Sequence, residues 1–191
     1  MARQLARGSG GLRSGLYHVG MLMALGRFGW SGVSKAEKVA VGDAAPGFEL
    51  VGQDGEVRRL TDYGGQWLVL YFYPKDATPG CTNEACNFRD DVPRLSELGA
   101  QVLGVSLDSG ESHAAFAAKH RLPFPLLSDP DGEAAKAFGV YFGLGPLRFA
   151  KRQTFIIDPQ GRIAHIFRRV KPAIHSEEVV AAVADRQQER G

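Results

Sequence analysis

The sequence predicts an α/β fold: a central mixed β-sheet flanked by helices. Three observations carry that prediction. Unbroken apolar runs such as WLVLYFY at residues 67–73 suit strands buried on both faces. Segments with helical caps and helical spacing alternate with those runs, as an α/β sandwich requires. The last two strands are joined only by Asp158-Pro159-Gln160-Gly161. That link is too short for a parallel crossover, so the sheet must also contain an antiparallel pair.

Taken in order, residues 48–51 and 56–60 flank Asp54-Gly55, a hairpin signal. Residues 67–73 form a buried strand that Pro74 stops. A helix is expected from Pro79, because Thr78 suits the cap and proline suits the first helical position, where its missing N–H is not needed. Pro93 is expected to end or kink it. Residues 101–107 read as a second buried strand. Asp108 and Glu111 stand at capping-box spacing before the helical stretch SHAAFAAKH. Residues 124–127 read as a short strand, and 133–138 as a short helix ended by Gly139. Residues 140–151, with Gly143, Gly145 and Pro146, read as a loop. Residues 153–157 and 162–167 are the closing strands, and 177–188 a closing helix. A thioredoxin-like fold meets these conditions.

The 191 residues suggest one domain with a tail. Hydrophobic residues are 44% and charged residues 23%, the balance of an ordinary globular chain. A net charge of +2 gives no sign of a nucleic-acid partner, and no apolar run approaches the roughly 20 residues that span a bilayer. The charge is uneven. Residues 1–37 carry Arg3, Arg7, Arg13, Arg27 and Lys35 against Glu37 alone, whereas the remainder holds 18 basic and 20 acidic residues. The chain therefore divides into a basic Gly/Arg-rich extension, 1–37, and a domain, 38–191. The extension reads as disordered or, being Arg-rich and acid-poor, as an organelle-targeting segment. The domain by itself is expected to be cytoplasmic.

The chemistry concentrates in YFYPKDATPGCTNEACNFRD, residues 71–90. Cys81 falls in the first turn of the predicted helix, where unpaired backbone N–H groups and the positive end of the helix dipole favour a thiolate, the nucleophilic form. The Thr78 hydroxyl lies three residues upstream, in reach of the sulfur or a bound oxygen. A buried cysteine acting as a small hydrophobe fits poorly beside a Thr-Pro-Gly cap. Zinc needs about four ligands, and the five histidines (18, 113, 120, 165, 175) are scattered. A disulfide oxidoreductase commonly uses Cys-x-x-Cys, but here four residues separate Cys81 from Cys86. On an ideal helix that spacing puts the Cα atoms roughly 8.7 Å apart, beyond the ~7 Å limit of a disulfide. A bond between them would require local unwinding. By local sequence Arg152 is a solvated arginine at a strand edge. Asp76, Glu84 and Arg89 read as solvated faces or local ion pairs. His113 and His120, seven apart, share a helix face and suggest surface or packing roles.

At these residues the chain resembles the peroxiredoxins, and within them the bacterioferritin-comigratory-protein or peroxiredoxin Q group. Pro74, Thr78 and Cys81 match Pro-x-x-x-Thr-x-x-Cys, and residues 78–90 match TPGCTxEACxFRD. GVSLDSGESHAAFAAKH, LPFPLLSDPDG and RQTFIIDPQGRI extend the resemblance from about Val39 to the last helix. It stops short of residues 1–37, and GPLRFAKRQTF departs from the group's glycine-containing lead-in. The resemblance implies that Cys81 is the peroxidatic cysteine, that Thr78 and Arg152 hold the peroxide oxygens and stabilise the thiolate, and that Pro74 shields the pocket. It makes Cys86 the resolving cysteine of an intramolecular disulfide, with hydroperoxides as substrates, thioredoxin as reductant and a monomeric state. No metal, haem or flavin is implied. The rival reading is a thioredoxin-fold binding or holdase protein whose disulfide only senses redox state. Against it, the Thr-x-x-Cys cap has no purpose in a passive binder.

Overall fold

Why the sheet forms where it does follows from the apolar run. In the computed structural model, which describes residues 39–189, Trp67–Phe72 is strand β3 and every residue in it is buried. The extension over residues 1–37 and its boundary lie outside the described residues. Alternate side chains of β3 feed two separate cores, as the period of two demands. Val69, Tyr71 and Tyr73 join Phe88, Phe116 and Val179 on one face; Leu68, Leu70 and Phe72 join Leu103, Phe138 and Phe155 on the other.

Around β3 the sheet grows to seven strands. Glu49–Gly52 (β1) and Val57–Arg59 (β2) are the expected hairpin, with Gly55 at φ +83° in its turn. Ala100–Ser106 (β4) runs parallel to β3, and Leu126–Ser128 (β5) parallel to β4. Gln153–Ile157 (β8) and Ile163–Phe167 (β9) form the closing antiparallel pair, and β8 also lies antiparallel to β3. Asp158 sets the turn between them, its carboxylate accepting from the backbone N–H of Gln160 and of Arg162. The order is β2-β1-β5-β4-β3-β8-β9. The sheet is mixed and the architecture is thioredoxin-like.

Among the described residues, four α-helices accompany the sheet, besides a short 3-10 turn at Leu60–Tyr63: Pro79–Glu97 (α1), Gly110–His120 (α2), Glu133–Ala137 (α3) and His175–Gln188 (α4). The ending expected as one alternative at Pro93, and the cap expected for α2, are corrected here. Helix α1 does not end at Pro93 but runs through it to Glu97. Proline forfeits one backbone donor, yet Leu95 beyond it is fully buried and ties the last turn to the core. The cap of α2 is Ser109, whose Oγ accepts from the Ser112 N–H, rather than the Asp108–Glu111 box. Asp108 instead accepts from the Asp76 N–H at 2.8 Å and from Ser106 Oγ at 2.7 Å.

The segment expected to be a loop is largely a hairpin. Tyr141–Leu144 (β6) and Leu147–Ala150 (β7) pair antiparallel across a two-residue Gly145-Pro146 turn. Gly145 has φ +57°, as the first position of a type II′ turn requires. Phe142 and Phe149 stack across the pair, ring centroids 4.8 Å apart. The glycines and proline that suggested a loop occupy the turn and one close approach: a Cβ on Gly143 would sit 2.8 Å from the Tyr141 ring.

Candidate active site

The start of α1 abuts the end of β3, so the loop between them decides how Cys81 is presented. That loop, residues 73–78, is pinned by Asp76. Its carboxylate accepts from Tyr73 Oη (2.8 Å) and Ser112 Oγ (2.7 Å) and meets His113 Nδ1 (2.8 Å). Asp76 and His113 are both buried, so Asp76 lies on no solvated face and His113 takes the packing role rather than a surface one. Burial pushes the Asp76 carboxyl up, but His113, Ser112 and Tyr73 together hold it below its usual value. His113 Nε2 lies 3.2 Å from the Leu127 carbonyl, tying α2 to β5 and the loop at once. Buried networks of this kind rigidify when every member is partnered. Pro74 is half-buried in this loop, and Ala77 takes φ +56° just before the helix.

Thr78 is the N-cap residue in backbone conformation, φ −79° and ψ 148°. Its hydroxyl does not cap the helix; it donates to the Lys75 carbonyl at 3.1 Å. The cap N–H groups of the first turn are thus not taken up by the Thr78 side chain. Cys81 is the third residue of α1, 2% exposed and a free thiol. Arg152, immediately before β8, places Nη2 3.1 Å from Cys81 Sγ. Arg152 is therefore no solvated edge residue.

The sequence reading missed the partner that aims Arg152. Glu84, expected on a solvated face or in a local ion pair, is 1% exposed, and its Oε2 accepts from the sequence-distant Arg152 Nη1. One guanidinium therefore bridges the buried carboxylate and the sulfur. Burial raises the Glu84 carboxyl to about 7 even though Arg152 opposes the rise. Burial works against the charge of Arg152 too, but Glu84 and Cys81 hold the guanidinium above its ordinary value. Glu84 was findable: Cys81, Glu84, Ala85 and Phe88 follow the i, i+3, i+4, i+7 spacing of one buried helix face. Gly80 belongs to the same arrangement, since a Cβ there would stand 3.4 Å from Arg152 Nη2.

Cys86 lies one and a half turns on, half-buried and also a free thiol. Its neighbours are His120 and Arg89, so neither of these is simply solvent-facing. The structure thus brings Cys81 and Arg152 together, sets Thr78 and Pro74 in the segment leading to them, and keeps Cys86 apart on the intact helix.

Residues 41–166 match the AhpC/TSA family. Peroxiredoxin Bcp of Bacillus subtilis (strain 168) is 45% identical over 152 residues, 77% of this chain and 96% of the relative. A chloroplastic peroxiredoxin Q of Triticum aestivum is 42% identical, over 76% of this chain and 67% of its own length. Among solved structures, the Xanthomonas campestris bacterioferritin comigratory protein, studied for its alkyl peroxide reduction activity, superposes with a TM-score of 0.70 at 37% identity. That match covers 77% of this chain and 96% of the other. The chain belongs to the AhpC/TSA family and is a peroxiredoxin of the Bcp and peroxiredoxin Q kind, a thiol-dependent peroxidase. Among the described residues, no helix is long and apolar enough to cross a membrane.

Proposed function

We propose that Cys81 is the peroxidatic thiol and that the chain reduces hydrogen peroxide and organic hydroperoxides through an intramolecular Cys81–Cys86 disulfide. The observation that carries this reading is the Arg152 guanidinium 3.1 Å from the sulfur of a buried cysteine in the first turn of a helix. The Cys81 thiolate attacks the terminal peroxide oxygen and becomes a sulfenic acid while water or an alcohol leaves. Arg152 and the free N–H groups of the first turn receive the peroxide oxygens. Thr78 turns its hydroxyl from Lys75 to the bound peroxide, and Pro74 covers the pocket. Cys86 then attacks the sulfenic sulfur, and thioredoxin or a similar dithiol reduces the disulfide. The enzyme acts as a monomer, without nucleic acid or membrane. The domain is cytoplasmic unless the extension directs it to an organelle.

A coupled assay with thioredoxin, hydrogen peroxide and an organic hydroperoxide tests the reaction; no consumption of either peroxide would refute it. Helix geometry supplies a second, structural test. Because Cys81 and Cys86 cannot bond across an intact α1, the disulfide form must have lost part of that helix. Local opening of such a segment costs far less than global unfolding. One equivalent of peroxide should therefore lower hydrogen-exchange protection over residues 80–90 and leave β3 unchanged. Cys86→Ser should react once, keep its protection and overoxidise readily. Full protection in the oxidised wild type, or a disulfide joining two chains, would overturn the scheme.

Residues 1–37 form, in this reading, an extension separable from the domain. Val39 is already 7% exposed, with its carbonyl accepting from Arg168, so the fold is anchored from there onward. Deleting 1–37 should leave the thermal midpoint and the peroxidase rate nearly unchanged. A fall of the midpoint by several degrees would show the extension to be part of the domain.

A further inference from the structure

The peroxide site accounts for Arg152 and Glu84 but leaves a second constellation unused, the one around Cys86. His120, the last residue of α2, sets Nδ1 3.7 Å from Cys86 Sγ. Arg89, one turn further along α1, places Nη1 3.8 Å from the same sulfur. Neither group is loosely held. Arg89 is paired with Asp90 through Nε and Nη2, and its Nη1 also donates to the His120 carbonyl at 3.0 Å. The His120 ring stands edge-on to Phe116, centroids 5.0 Å apart, and Phe116 is buried in the core. A structural cysteine on a half-exposed helix face needs neither an imidazole nor a guanidinium trained on its sulfur.

We propose that His120 is a catalytic base for the resolving step, taking the Cys86 proton, with Arg89 holding the thiolate that results. The proposal rests on Cys86 being the resolving thiol. Once Cys81 is the sulfenic acid and while α1 is still closed, the Cys86 S–H proton passes to Nδ1 of His120, in the tautomer whose own proton is on Nε2. The contact exists only while α1 is closed, so the thiolate forms before the helix opens. The thiolate then attacks the Cys81 sulfenic sulfur: the S–S bond forms, the S–O bond breaks, and the oxygen leaves as hydroxide. That hydroxide becomes water with the proton His120 took up, returned directly or through solvent. Cys86 sulfur is oxidised and Cys81 sulfur reduced by the same electron pair. The groups facing His120 are Cys86 and Arg89 from α1, with Asp90 behind Arg89; Lys119 and Arg121, its sequence neighbours, are exposed. The thiolate–imidazolium pair is half-exposed, so solvent weakens the attraction that would otherwise resist opening.

The test is a single-turnover measurement on the full chain. The protein is mixed with one equivalent of hydrogen peroxide, quenched at intervals, and its sulfenic and disulfide forms are counted by mass spectrometry across a range of pH. His120→Asn keeps a polar group near the Nδ1 position but cannot take the proton. It should slow disulfide formation at neutral pH by roughly 10²-fold, the lower end of general-base effects. The deficit should narrow as pH rises and the thiol ionises unaided. In His120→Gly, added imidazole should restore part of the rate, a comparison internal to one folded protein. Wild-type resolution with wild-type pH dependence in His120→Asn would overturn the proposal. So would a slow His120→Gly that imidazole does not rescue. Cys86→Ser separates this from the reading beneath it. If that variant turns over with thioredoxin, the resolving assignment itself fails. If it stalls as sulfenic acid while His120→Asn resolves normally, only the base assignment fails.

Discussion

Cys81→Ser should abolish peroxide reduction while leaving the fold intact. A serine hydroxyl at the third position of α1 would meet the same Arg152 donor, but it does not ionise near neutral pH and is a poor nucleophile toward a peroxide oxygen. The exchange of sulfur for oxygen is nearly isosteric, and the buried site already offers a donor to the new hydroxyl, so the thermal midpoint should move little. The checks are turnover in a thioredoxin-coupled assay and a thermal melt on the same preparation. Retention of most of the turnover would move the chemistry to another residue. Cys86→Ser gives the contrast: loss of steady-state turnover with thioredoxin, but one full equivalent of peroxide consumed in the first encounter.

The contrast between Cys81 and Arg152 shows what a sequence makes legible. Cys81 could be placed because its surroundings are local. Pro79, suited to the first helical position, marks where the helix starts, with Thr78 at the cap position though its hydroxyl makes no cap bond, and the apolar run before them dictates a strand ending at that point. The same local logic located β1–β2, β3 and β8–β9. Arg152 acquires its role only through a long-range pairing. Phe72 of β3 pairs with Gln153 of β8, so the residue preceding β8 emerges beside the loop that leads to Cys81. Nothing within a few residues of Arg152 encodes that, and only the family resemblance raised it. Glu84 and Asp76 were misjudged for a related reason. Charged types are almost never fully buried unless paired, and each of these is paired with a residue distant in sequence or on another element. The β6–β7 hairpin was missed because turn-forming residues in a short segment outweighed Phe142 and Phe149, whose stacking needs the register to be known.

Arg152→Ala should produce the second large effect, and it should appear in two measurements with different pH dependence. The first is the rate of peroxide attack. Removing one positioned donor at a reacting centre typically costs about 10²–10³ in rate, and here the donor is also the cation beside the sulfur. The second is stability. Glu84 is left buried without its partner, and breaking a buried ion pair from one side costs about 3–5 kcal/mol when the remaining charge cannot neutralise. Glu84 can neutralise, because burial has already raised its carboxyl from 4.5 to about 7. The folded protein therefore binds a proton more tightly than the unfolded chain, so stability falls as pH rises from the ordinary carboxylate range to about 7. Arg152 restrains that rise; without it the window extends to higher pH. Relative to wild type, Arg152→Ala should lose little thermal stability near about pH 5 and much more near about pH 8. Adding Glu84→Gln to Arg152→Ala should restore the melting temperature at the higher pH without restoring the rate of peroxide attack. Equal destabilisation at both pH values would deny the buried pair its electrostatic role. An unchanged rate in Arg152→Ala would return the guanidinium to a purely structural one.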